Sequence, residues 1–113
     1  MADARRWNPL LPTGEIDDAR YGDPMRWRKS YTVAVAADLF AAEVTDTTIA
    51  KVVGLMGAAH DHQFAVLTQH SGRADDLIGS DAFRELVFKS CSVGVPDVMG
   101  DYWPLPNLTI TAY

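Results

Sequence analysis

The stretch from Tyr31 to His70 constrains the fold most. YTVAVAADLF is a short, valine-rich apolar run that fits a strand buried on both faces. Thr45 or Asp46 can then cap a helix, in which Ile49, Val52, Val53 and Met56 recur at i, i+3, i+4 and i+7 and so share one face. Gly54 and Gly57 weaken that helix by about 1 kcal/mol each relative to alanine, so it has to lean on packing. HQFAVLTQH follows as a second short strand with Phe64, Ala65, Val66 and Leu67 continuous. SGRADDLIGSDAFRELVFKSC gives a broken helical stretch, whose second part has Asp81 to cap it and Phe83, Leu86 and Val87 on a common face. PLPNLTITAY alternates as a third strand. Strand, helix, strand, helix, strand is the order that makes a parallel sheet with right-handed crossovers. The expected fold is therefore α/β: a small three-stranded parallel sheet in a βαβαβ domain over residues 31–113. Residues 1–30 hold Pro9, Pro12, Gly14, Gly22 and Pro24 without a sustained period, and read as an extended N-terminal arm.

The chain has 113 residues, about the size of one domain with one core. No apolar run nears the roughly 20 residues of a membrane span, since Asp38, Lys51 and His60 cut the longest candidates. The start, MADARRWNPL, has cations but no apolar segment of a secretion signal. A cytoplasmic protein without membrane contact is expected. Cys91 is the single cysteine, which excludes an internal disulfide and reads as a small buried apolar residue. Charge is uneven: residues 1–30 carry six cations and five anions, and residues 31–113 carry four cations and ten anions. An acidic domain disfavours direct nucleic-acid binding and suits a basic partner surface.

Few residues carry chemistry. HDH at 60–62 offers two imidazoles but no third ligand at a predictable spacing, and His60 near a helix C-terminus already suits the helix dipole. Ligands of parallel sheets sit at the C-terminal strand ends, where Asp38, Thr68, His70 and Thr111 would line a cleft without an identifiable nucleophile. PMRWRKS at 24–30 packs Arg26, Arg28 and Lys29 around Trp27; the tryptophan reads as packed on the sheet with the cations at the surface, and a binding patch is the alternative.

MRWRKS, VAVAADLF, VTDTTIAKVVGLMGAAHDHQFAVLTQHSGR and YWPLPNLTI resemble, in order, consecutive blocks of a phage-protein family with a three-cysteine, radical-SAM-like motif near its start. That family has a basic tryptophan block, a strand ending in SDLF, a helix, a strand ending in VLTKRP, and then WPLPNVWLG. The resemblance covers residues 24–70 and resumes at 103–110. It implies that the sheet is part of a TIM-like partial barrel, of which this chain resembles the middle three strands. The family's tryptophan-asparagine-proline block is matched by Trp7, Asn8 and Pro9, but PTGEIDDARYGD follows with no cysteine cluster. A radical-SAM cluster needs three thiolates, and one cysteine cannot supply them.

The expectation is thus a non-enzymatic, phage-derived protein without cofactor or metal. It would bind a host defence protein, in its most concrete form a CRISPR-Cas effector or nuclease, at a basic, nucleic-acid-facing surface. Candidate contacts are Arg5, Trp7, Arg26 and Arg28 in the arm and Asp75, Asp76, Asp81 and Glu85 in the acidic segment. The alternative is a cluster-less subunit or fragment of a nucleic-acid-modifying enzyme whose cofactor chemistry comes from another chain. A homodimer is compatible with either, because a small parallel sheet has open edges that a second copy could cover.

Overall fold

The structure, a computed structural model, describes residues 3–90 and 107–112. In chain order they form β1 (Asp3–Trp7), α1 (Asp18–Tyr21), α2 (Asp23–Arg26), β2 (Tyr31–Val35), α3 (Asp46–Ala58), β3 (Gln63–Thr68), α4 (Ser71–Ile78), α5 (Asp81–Ser90) and β4 (Leu108–Ala112). The four strands make one parallel sheet in the order β1-β2-β3-β4. Among the described residues this sheet is open, with β1 and β4 at its edges and no TIM-like barrel. Cys91 lies outside the described residues.

The fourth strand corrects the expectation of three, and it comes from the segment read as an arm. β1 is DARRW, in which only Trp7 is buried, so the run shows no apolar alternation. Exposed charge is nevertheless what an edge strand tolerates. Trp7 stands opposite Val35, and Ala36 N–H donates to the Trp7 carbonyl at 2.8 Å. The indole lies 5.7 Å from the Phe64 ring and donates its Nε1–H to the Arg20 carbonyl at 2.7 Å. One large aromatic ring and the backbone ladder therefore seat the strand.

A tight loop returns the chain from β1. Asn8 Oδ1 accepts from Leu10 N–H, and Leu10 bridges Ile16 in antiparallel fashion. Gly14 turns it at φ +89°, where a Cβ would meet the side chain and backbone of Glu43 at 3.2 Å. A side chain there faces both a left-handed backbone and a close neighbour, so glycine is required twice over.

The helices form as their spacing dictates. Thr45 is the cap of α3, its Oγ1 accepting from Thr48 N–H at 3.2 Å, and Ile49, Val52, Val53 and Met56 are all fully buried. The helical stretch after β3 breaks into α4 and α5 at Gly79 and Ser80. Ser80 rather than Asp81 caps α5, since Ser80 Oγ accepts from Phe83 N–H at 3.2 Å and Asp81 falls in the first turn. Phe83 and Val87 are buried, with Leu86 packed beside them. α3 and α5 pack against each other, as helices of crossovers on the same face of a parallel sheet do.

The two faces of the sheet differ. Trp7, Val33, Val35, Phe64, Val66 and Thr68 are buried, whereas Thr32, Ala34, Gln63, Ala65 and Leu67 between them are exposed. β2 and β3 are therefore buried on one face, which for β2 corrects the expectation of burial on both. Ala34 pairs with Ala65 and Ala65 with Thr109, so small side chains run across the open face, with Leu67 55% exposed beside them. No described element covers this face.

Candidate functional site at the strand ends

Asp38 follows β2, and Thr68, Gln69 and His70 lead from β3 into α4, so the topology brings them together at the C-terminal end of the sheet. Asp38 Oδ1 accepts from Thr68 Oγ1 at 2.6 Å and from Phe40 N–H at 3.1 Å. Its Oδ2 accepts from Gln69 N–H at 3.1 Å and from His70 Nδ1–H at 2.9 Å. A carboxylate has about four acceptor sites, and here all are in use. Partial burial would raise the Asp38 pKa, but hydrogen bonds from Thr68, His70, Gln69 and Phe40 outweigh it and hold the carboxyl below its ordinary range. Asp38 is thus a brace between two loops. It also orients the His70 ring, whose Nδ1–H it accepts.

Thr68 is fully buried and passes the network on, its Oγ1 accepting from His70 N–H at 2.9 Å. Thr111, also expected at this cleft, is exposed and pairs with Leu67 on the sheet's open side, apart from the Asp38 contacts. Arg73, which no sequence pattern singles out, locks the loop after β2 from above. Its Nη1 donates to the Phe40 and Ala41 carbonyls, and its Nη2 to the Val44 carbonyl at 2.6 Å and Asp46 at 2.8 Å. Next to this corner a cleft of about 230 Å3 opens between the Asn8–Gly14 loop and residues 37–44, with Asp38 and Glu43 on its wall.

The HDH segment splits inside from outside. His60 and Asp61 are exposed, whereas His62 is buried. His62 Nδ1 accepts from Tyr31 N–H at 3.1 Å, so its proton sits on Nε2 and is donated to the Pro24 carbonyl at 2.9 Å. The ring ties α2 to the start of β2. Trp27 packs edge-on against both His62 and Tyr31, with centroids 5.3 Å and 5.4 Å away. That is the sheet-packing role expected of Trp27. Asn107 closes the other side, its Nδ2 donating to the carbonyls of Met56 at 2.9 Å and His62 at 3.0 Å. Among the described residues no group of three or more His, Cys, Asp or Glu is placed to hold a metal ion.

The proposed contact residues fall into three environments. Trp7 is 3% exposed and belongs to the core, which takes it off the contact surface. Arg5 lies over the Trp27 and Tyr31 rings at 4.4 Å and 5.0 Å, Arg26 pairs with Asp23 at 2.6 Å, and Arg28 is exposed. Asp75 and Asp76 on α4 and Asp81 and Glu85 on α5 are exposed and form no ion pair among the described residues. No described helix is long and apolar enough to cross a membrane.

The architecture is that of a small α/β protein whose helices cover one face of a parallel sheet. Residues 4–111 match the model of the family described as protein of unknown function DUF5131, and the chain belongs to that family. No curated protein and no solved structure matches it significantly.

Proposed function

We propose that this chain is a non-catalytic binding protein whose acidic helical face occupies a basic, nucleic-acid-facing surface of another protein. The observation that carries the reading is the disposition of charge on α4 and α5. Asp75, Asp76, Asp81 and Glu85 all point to solvent, while Arg73 from the same segment turns inward to Asp46 and the loop carbonyls. Asp81 and Glu85 are one helical turn apart and so present their charges together. Such a surface speeds and orients docking onto a cationic groove. The most specific form is a phage-derived inhibitor of a CRISPR-Cas effector or nuclease. The test is phage interference in cells expressing the chain, run across the common CRISPR types. Restored plaque formation, abolished when the four carboxylates are changed to lysine, supports the reading; unchanged interference in every type refutes its CRISPR form.

A second reading is favoured by the sheet face that no described element covers. In it the chain is a subunit of a nucleic-acid-modifying enzyme whose cofactor chemistry is supplied by another chain. The open sheet face, with Ala34, Ala65 and Thr109 in line, is consistent with the inner wall of a partial barrel completed by that partner. Co-purification with a cysteine-rich protein carrying bound iron would favour this reading over inhibition.

A further inference from the structure

The outer edge of β1, unpaired among the described strands, borders a second cleft, of about 360 Å3, that the reading above does not use. Because β1 is an edge strand, residues from both of its faces, Arg5 opposite Val33 and Arg6 opposite Ala34, contribute to the lining of the cleft. Arg20 enters from α1, with Trp7 and Trp27 also in the lining. The anion present, Asp23, is already neutralised by Arg26 at 2.6 Å. Arg6 and Arg20 form no ion pair among the described residues, and Arg5 is held over the Trp27 and Tyr31 rings rather than by a carboxylate. Three arginines therefore line one concavity in a chain whose formal net charge is −5.

Simple solubility does not call for this arrangement, because an acidic protein gains nothing from gathering its cations at one place. Guanidinium forks match phosphate oxygens and also pack flat against aromatic rings. The cleft combines both features, and its volume lies in the range of small-molecule sites, which run from about 300 to 1,000 Å3. We propose that the β1 edge binds a phosphate ester of nucleotide size, with Arg6 and Arg20 on the phosphate and the ring beside Arg5 and Trp27. The floor is rigid: the buried Trp7 indole is tied to the Arg20 carbonyl at 2.7 Å, so the strand and α1 that carry the cations are fixed to each other. The site is independent of the acidic α4–α5 face, and either assignment can fail without the other.

The test is calorimetric titration of the full chain at low salt with adenosine 5′-monophosphate, adenosine, inorganic phosphate and a short single-stranded oligonucleotide. The monophosphate is expected to saturate one site with Kd below about 1 mM, with adenosine and inorganic phosphate each about 10-fold weaker or more. A tighter oligonucleotide would assign the phosphate to a strand, and equal or weaker binding would assign it to a free nucleotide. Arg6→Gln and Arg20→Gln, singly and together, should weaken binding about 10-fold or more for the pair while leaving the circular dichroism and melting curve unchanged. The proposal is overturned if neither monophosphate nor oligonucleotide saturates, if inorganic phosphate binds as tightly as the ester, or if the double variant binds like the parent chain.

Discussion

The Asp38 corner and the β1 edge are both polar clusters in small clefts, yet they are built on opposite principles. At the corner each carboxylate oxygen accepts two hydrogen bonds, and the donors come from both loops that leave the strand ends. At the edge, Arg6 and Arg20 have no carboxylate partner among the described residues. A cluster that satisfies itself holds a fold together, and one left unsatisfied is available to something else. The Asp-His pair, which in sequence looks more like chemistry, is thus chiefly structural, and the arginines at the β1 edge, which look like surface charge, are the cluster without carboxylate partners among the described residues.

Replacing Trp7 with alanine gives the largest expected effect, a loss of about 3 to 5 kcal/mol, because a buried indole and its hydrogen bond both go. Urea denaturation measures it, and a loss well below that range would mean that β1 is not seated in the core. Asp38→Ala should cost about 2 to 3 kcal/mol in the same assay, since it leaves the buried Thr68 hydroxyl and backbone donors without their acceptor. Arg6→Gln with Arg20→Gln should leave the midpoint unchanged. Equal destabilisation by the corner and edge variants would erase the contrast between the two clusters.

Acid titration sharpens the corner further. The folded state lowers the Asp38 pKa, so its stabilisation is fully present above the unfolded carboxylate value of about 4 and is lost as pH falls through the folded value. Stability measured from about pH 5 down to about pH 2 should therefore fall less steeply in Asp38→Asn than in the parent chain. The smallest effect is expected from His70→Ala, under about 1 kcal/mol, because the ring is half-exposed and supplies one of four hydrogen bonds.

What could be read ahead of the structure had short range. Thr45 lies three residues from the amide it caps, and the buried face of α3 repeats within two turns. The meeting of Asp38, Thr68 and His70 was also readable, because parallel topology alone sends successive strand ends to one side of a sheet. β1 escaped notice because DARRW buries a single side chain, and a strand recognised only through its partner has no period of its own. Arg73, His62 and Asn107 escaped for a related reason. Arg73 reaches back to carbonyls some 30 residues earlier, His62 holds a carbonyl 38 residues away, and Asn107 one 51 residues away.

The sequence by itself determined the alternation of strands and helices, the apolar faces of α3 and α5, the acidic cast of the chain beyond residue 30, and the shortage of thiolates for a cluster. These depend on composition and on spacings within a turn or a pleat. Tertiary structure alone decided that the first residues add a strand to the sheet, that one face of it is left uncovered by the described elements, and which polar groups are used up. Those outcomes depend on pairing between segments tens of residues apart, where the hydrogen-bond partner of a side chain is set by the packing of whole elements and not by its neighbours along the chain.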